Sequence, residues 1–314
     1  MNKEQVYADL AELLRESEAI ETEKNISRDV PMKEYTSFKV GGPADILIEP
    51  ENREMLVSVV RYLYENQIPY MIMGNGSNTL FRDAGYRGVV IIIGQNMSTI
   101  QVGDSGNVFA ETGVLLSSLA KAVAKEGFTG MEFASGIPGS LGGAVFMNAG
   151  AYGGEMKDII TGATFYDPVA DKRGIIGDWD MDLSYRHSIF QTNKMVVLDI
   201  FFELQKGDID EIQNTMRELN EKRNSKQPVN IPSAGSFFKR PEGHFAGKLI
   251  QDAGLKGRKI GGAQISELHS GFIVNTGDAT AADIEELMHL VQKTVYDKFE
   301  VELEPEVRIV GDSE

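Results

Sequence analysis

Gly136-Ile-Pro-Gly-Ser-Leu-Gly-Gly-Ala-Val-Phe-Met-Asn-Ala-Gly-Ala-Tyr-Gly-Gly154 is the stretch around which this 314-residue chain is organised. Seven of its nineteen residues are glycine, and none of the others is charged. A solvated glycine-rich linker normally carries Ser, Lys, Glu or Asp. Here the glycines alternate with Ile, Leu, Val, Phe and Met, which suits a backbone turning sharply inside a packed interior. Read alone, the stretch has two accounts. Amides at turns and helix starts make an anion site for a phosphate-bearing ligand; equally, glycine permits a buried turn between tightly packed elements.

Working outward toward the N-terminus, residues 115–126 read as a helix stopped by Gly127. Strands are expected at 99–102 and 108–112, and the apolar run 89–93 reads as a strand buried on both faces. A strand at 70–73 runs directly into a second glycine loop, Gly74-Asn-Gly-Ser-Asn78. Before it come a helix with Leu56, Val59, Val60 and Leu63 on one stripe, and a strand at 46–48 led in by Tyr35-Thr-Ser-Phe-Lys-Val-Gly-Gly-Pro-Ala-Asp45. Residues 2–20 predict an acidic amphipathic helix with Val6, Leu10, Leu13 and Leu14 inward. Toward the C-terminus, strands are expected at 162–166, 174–176 and 195–204. A helix through Ile209, Ile212, Met216 and Leu219 then reaches a domain junction at Gln227-Pro228. Beyond it stand Ser233-Ala-Gly-Ser-Phe-Phe-Lys-Arg-Pro241, a short helix near 245–251 and a strand at 272–275. A helix over 284–295 has Thr280 and Asp283 placed for a capping box, and a last strand is expected over 302–310. The mixed order of elements gives α+β.

Composition narrows the chemistry. There is no cysteine, which removes disulfides, thiol catalysis and cysteine-held metals. His187, His244, His269 and His289 stand alone, with no pair at metal-ligand spacing, so no metal is expected. The net charge of −16 argues against a broad nucleic-acid or anionic-membrane surface. No apolar signal region or bilayer-length run is present, which fits the cytoplasm. Gly74-Asn-Gly76 follows a strand but Thr79 breaks the dinucleotide fingerprint, and no triphosphatase loop occurs. Gly103-Asp-Ser-Gly-Asn107 misses the esterase elbow at Asn107. Trp179, among Asp178, Asp180 and Asp182, reads as a loop anchor. The basic cluster Lys222, Arg223, Lys226, Lys239, Arg240, Lys256, Arg258 and Lys259 suits either a phosphorylated ligand or solvated faces.

Taken together, five segments between Tyr35 and Gly311 resemble the UDP-N-acetylenolpyruvoylglucosamine reductases, flavoenzymes of cell-wall precursor synthesis. They are Gly74–Asn78, Gly136–Gly154, Ser184-Tyr-Arg186, Gly235-Ser-Phe-Phe-Lys-Arg-Pro241 and Leu303-Glu-Pro-Glu-Val-Arg308. The resemblance implies a two-subdomain FAD-binding domain of the vanillyl-alcohol-oxidase type plus a C-terminal α+β substrate-binding domain. The division would be an N-terminal lead-in over 1–34, the FAD domain over 35–206 (subdomains 35–98 and 99–206), and the substrate domain over 207–314. It implies non-covalent FAD on Gly74, Asn75, Gly76, Ser77, Asn78, Gly136, Ile137, Pro138, Gly139, Ser140, Gly142, Gly143, Asn148, Ala149 and Gly150. NADPH would be the hydride donor and a UDP-sugar the substrate, with no nucleic acid or membrane partner and a monomer favoured.

By the same match Arg186, Ser236 and Glu306 form the catalytic set, with Tyr185, Arg223, Lys239, Gln264 and Arg308 as substrate contacts. The roles follow from charge. Hydride addition to the enol ether leaves an enolate, which a permanent cation such as Arg186 stabilises. Ser236 supplies the proton to the other carbon, a contribution of roughly 10²–10⁴-fold. An ionised Glu306 would oppose the enolate, so it is either held protonated or orients Ser236 or a water. The long insertion that supplies some members with a uridine-covering tyrosine is absent, since the strand 195–204 and short connectors follow Arg186. Two rival readings stand beside this one: an oxygen-using oxidase of the same fold, and a non-catalytic nucleotide-sugar binding protein.

Overall fold

The structure is a computed structural model describing residues 2–16 and 25–312. The chain divides into two compact units. The first comprises residues 1–28, 46–75 and 88–222, and the second 29–45, 76–87 and 223–314.

In the first unit, the apolar alternation around 162–166 and 195–204 becomes the strands Ile160–Asp167 and Val196–Glu203, paired antiparallel. They lie at the centre of a five-stranded sheet ordered Lys172–Gly177, Ile160–Asp167, Val196–Glu203, Asn107–Glu111, Ile100–Val102. Helix Leu116–Lys125 lays Leu116, Leu119, Ala120, Val123 and Ala124 on this core, the spacing of one helical face. It ends at Gly127, whose φ of +73° satisfies the expected stop. A second cluster surrounds the parallel pair of Tyr70–Met73 with Tyr86–Ile92, in which Val89, Val90 and Ile91 are fully buried. Helix Arg53–Glu65 packs there through Leu56, Val59, Val60 and Leu63, and Asn52 Oδ1 caps it by accepting from Met55 N at 2.9 Å. Val6, Leu10 and Leu14 of helix Lys3–Glu16 join the same cluster; the predicted extension over 17–20 lies outside the described residues. Two carboxylates, Asp199 and Glu111, stand directly opposite each other in the sheet. Arg53 spans them, at 2.8 Å from Asp199 and 3.6 Å from Glu111, while burial pushes the Asp199 carboxyl upward.

The second unit is built on an antiparallel sheet ordered Ser233–Ser236, Phe272–Asn275, Ala263–Ile265, Lys259–Ile260. Phe38 and Leu80, from chain segments far to the N-terminal side, are buried in its core with Phe237, Ile284, Leu287 and Val291. The helix Ala281–Phe299 is longer than predicted because it begins at the capping box itself. Asp283 N donates to Thr280 Oγ1, and Thr280 N to Asp283 Oδ2. Asp83 completes the cap: its two carboxylate oxygens accept from Ala281 N and Ala282 N, each at 2.9 Å. Three of the helix's orphan amides are thereby satisfied by side chains. The expected last strand over 302–310 is corrected to Arg308–Val310, which pairs in parallel with Thr79–Phe81. Pro305 lacks the N–H a longer ladder needs, and Phe238↔Pro305 is only an isolated bridge.

Asp83→Ala leaves two N-terminal amides of the helix without acceptors. It is expected to lower stability by about 1–2 kcal/mol, read from denaturant unfolding. Thr280 N–H, ahead of Gly262 N–H, holds Asp283 below its ordinary value of 3.8. Its stabilisation is therefore complete above that pH and is lost only as pH falls through the lower folded value, so an Asp283→Asn variant should lose this group's share of the wild type's acid sensitivity.

Candidate functional site

In the first unit the two glycine loops meet. Gly74 leaves its strand so close to the longer stretch that a Cβ there would lie 1.8 Å from Ser140 Oγ, and Asn75 Nδ2 donates to Pro138 O at 2.7 Å. Ser140 pairs with Leu115 in an isolated bridge. Leu116 N donates to Gly139 O, and Leu141 N to Val114 O. Neither the Gly139 nor the Ser140 amide donates to an acceptor among the described residues. Ser140 Oγ is buried and without a hydrogen-bond partner. A buried unpaired hydroxyl is costly unless something accepts or donates there, and with the free amides beside it the loop suits a phosphate oxygen. Residues 141–146 form a short helix that packs at Gly142, whose N–H donates to Thr112 O at 2.8 Å, whereas Gly143 is under no such constraint.

Asn148 is buried in a left-handed conformation, φ +40°. Its amide group donates to Ser184 O (2.9 Å) and Glu155 Oε2 (3.0 Å), and its Oδ1 accepts from Lys157 N. Its side chain is therefore committed to holding the chain together. Ser184 opens a two-residue turn closed by the reciprocal bonds Ser184 N to His187 O and His187 N to Ser184 O. Tyr185 and Arg186 occupy the turn. Arg186 is left-handed at φ +55°, with its guanidinium carbon 5.2 Å from the Tyr185 ring centre, and Tyr185 is exposed. A left-handed non-glycine residue carries roughly 1–2 kcal/mol of strain.

In the second unit, Gly76 at φ +59° sits where a Cβ would lie 2.1 Å from Tyr35 O. Its carbonyl accepts from Ser37 N, and Ser37 Oγ donates to Ser233 O at 2.6 Å, so the loop is joined to the strand carrying Ser236. A bulge between Ser233 and Ser236, with Gly235 at φ +79°, leaves Ser236 exposed. Glu306 N donates to Phe237 O at 2.8 Å, one residue from Ser236, and Asn78 Nδ2 donates to Glu306 O at 3.1 Å. Arg308 N in turn donates to Asn78 O at 3.0 Å. Lys239 N bonds Glu304 O, and its ammonium forms an ion pair with the Glu304 carboxylate. The second unit therefore brings Gly76, Asn78, Ser236, Lys239, Glu306 and Arg308 into one bonded neighbourhood. Gln264 is engaged in its own hairpin, donating to Gly257 O, and Arg223 lies in the last turn of the helix Ile209–Lys226. The sequence reading missed Ser37. Its only signal was a polar residue in the quoted Tyr35–Asp45 lead-in, with nothing to say that it bonds a strand almost two hundred residues away.

Known proteins resemble this chain over most of its length. Residues 44–171 match the family model described as an FAD binding domain, and residues 227–310 match that of the UDP-N-acetylenolpyruvoylglucosamine reductase C-terminal domain. A UDP-N-acetylenolpyruvoylglucosamine reductase of Alkaliphilus oremlandii is 55% identical over 284 residues, covering 90% of this chain and 93% of that protein. The same-named protein of Clostridioides difficile strain 630 is 47% identical over 312 residues, covering 99% and 100%. The crystal structure of such a reductase from Thermus caldophilus superposes with a TM-score of 0.77 at 34% identity, covering 90% of this chain and 98% of that one.

Ser140→Ala is expected to leave the thermal midpoint of FAD-stripped protein unchanged while weakening FAD binding by about tenfold, one hydrogen bond's worth, in a fluorescence titration. Gly74→Ala, pressed against Ser140 Oγ, should lose more. FAD binding by Ser140→Ala at the wild-type level would show that the hydroxyl has no part in the cofactor site.

Proposed function

The chain belongs to the UDP-N-acetylenolpyruvoylglucosamine reductase family, and on that premise we propose how its own residues divide the work. It is an FAD-dependent oxidoreductase of peptidoglycan precursor synthesis that reduces the enolpyruvyl group of a UDP-sugar. FAD, when bound, would supply the hydride-transfer chemistry between NADPH and the enolpyruvyl double bond. Gly74, Asn75, Gly139 and Ser140 would hold its phosphates by backbone N–H groups and the unpaired hydroxyl, while Pro138, which has no N–H, shapes the loop by accepting from Asn75 Nδ2. Asn148 serves the same site indirectly, by fixing the end of the loop.

Arg186 faces the carboxylate on which negative charge develops, where a guanidinium is worth most in a water-excluded site. Ser236 Oγ–H delivers the proton to the second carbon, and Glu306 orients it. The observation that carries this assignment is the bond from Glu306 N to Phe237 O, which fixes the glutamate one residue from the serine. Lys239, Arg308 and Tyr185, with Arg223 and Gln264, recognise the diphosphate, carboxylate and uridine parts of the substrate. The functional division places FAD on 35–206 and the sugar nucleotide on 207–314. No helix among the described residues is long and apolar enough to cross a membrane; the proposed use of NADPH and a nucleotide sugar supports a cytoplasmic location.

Anaerobic stopped-flow tests the roles. The purified protein should be yellow, bleach with NADPH and recover on adding the UDP-enolpyruvyl sugar. In Ser236→Ala, bleaching should run at nearly the wild-type rate while recovery slows by roughly 10²–10⁴-fold. Equal slowing of both phases would remove Ser236 as proton donor, and no recovery with that substrate would remove the activity itself.

A further inference from the structure

Resting on the role given to Arg186, we propose that Gln191 is a positioning residue that holds the Arg186 turn against the end of the glycine-rich stretch. The carbonyl of Phe146 stands at the end of the helix Leu141–Phe146. Two side chains reach it from the segment after the turn: Ser188 Oγ donates at 2.8 Å and Gln191 Nε2 at 2.6 Å. The same Gln191 nitrogen also donates to Arg186 O at 3.0 Å. A primary amide has two hydrogens on one nitrogen, and these two carbonyls are its short acceptors, with Met147 Sδ at a longer 3.8 Å. One side chain therefore ties the backbone of the catalytic arginine to the backbone of the cofactor loop.

The tie matters because of the arginine's conformation. Arg186 sits at φ +55°, which a non-glycine residue keeps only when its surroundings over-determine it. Asn148 Nδ2 holds the turn from its start, at Ser184 O, and Gln191 holds it at Arg186 itself. Gln191 is exposed, at the end of a single turn of 3-10 helix, Ile189–Gln191, whose Phe190 is buried in the core while the Gln191 side chain takes no part in it. Its replacement removes the tie without opening the core. Glutamate, lysine and alanine at this position separate the contributions by chemistry alone. Glutamate points acceptor oxygens at two carbonyls, lysine restores N–H donors, and alanine leaves both carbonyls to water.

The test measures both flavin half-reactions of the holoenzyme, with flavin content and thermal midpoint as controls. Gln191→Ala is expected to slow substrate-dependent reoxidation by about tenfold or more, the scale of a small misplacement of a catalytic group. Gln191→Glu should be slower still and Gln191→Lys close to wild type. Bleaching by NADPH, flavin content and the substrate's KM should each stay within about twofold, since the lost effect lies in the transition state. Arg186→Ala is run alongside. Slow reoxidation in Arg186→Ala with wild-type rates in both Gln191→Ala and Gln191→Glu would overturn the inference while sparing the arginine. Slowing of both half-reactions alike, with loss of flavin, would overturn it in favour of a structural role. An Arg186→Ala enzyme that reoxidises normally would instead remove the assignment of the arginine on which the inference stands.

Discussion

At position 74 there is no room for a side chain. The 1.8 Å between a would-be Cβ and Ser140 Oγ means that two loops about sixty-five residues apart in sequence touch backbone to hydroxyl. Such an approach is kept only if both loops are rigidly delivered. Gly74 is delivered by the strand Tyr70–Met73, locked in parallel register with Tyr86–Ile92 and backed by the helix Arg53–Glu65. Ser140 is delivered by its bridge to Leu115, immediately before the helix Leu116–Lys125, and by Gly142 N bonding Thr112 O. Two separate hydrophobic clusters thus converge on one contact. At that contact the amides of Gly139 and Ser140, and the Ser140 hydroxyl, have no hydrogen-bond partner among the described residues, and these are the groups a phosphate needs.

Much of this was legible in the sequence wherever local periodicity decides structure. The stripe Leu56, Val59, Val60 and Leu63, the apolar run 89–93 and the Thr280/Asp283 capping box all form as expected. The glycine stretch itself was only half legible. Glycine weakens helix propensity by about 1 kcal/mol per residue, so a helix through Gly142 and Gly143 is invisible to propensity and is made by packing on Thr112 and Val114. The role of Asn148 was hidden for a related reason. An asparagine beside glycines reads as a ligand contact, but every polar atom of its side chain is consumed by Ser184, Glu155 and Lys157.

What no local pattern revealed is that residues 29–45 and 76–87 belong to the same compact unit as the C-terminal third. Phe38 and Leu80 supply core to a helix more than two hundred residues later, and Asp83 caps that helix. These are contacts of high sequence separation, and periodicity carries no information about them. The segments to which catalysis is assigned in this unit depend on them all the same. Asn78, on the second of those excursions, bonds both Glu306 and Arg308, and Ser37, on the first, bonds the Ser236 strand.

Strain and support coincide in the first unit. Asn148 and Arg186 are both left-handed non-glycine residues, and each is pinned by side-chain hydrogen bonds to backbone carbonyls. Two such residues carry together roughly 2–4 kcal/mol relative to relaxed backbone. Four bonds oppose it: Asn148 to Ser184, Ser188 to Phe146, and Gln191 to both Phe146 and Arg186. At a net of about 1 kcal/mol each they are of the right size to hold the turn, but not by a wide margin. An arginine turn balanced this closely keeps its geometry only while every tie is present. If Arg186 has the role proposed for it, side chains that touch neither cofactor nor substrate serve catalysis through the backbone they hold.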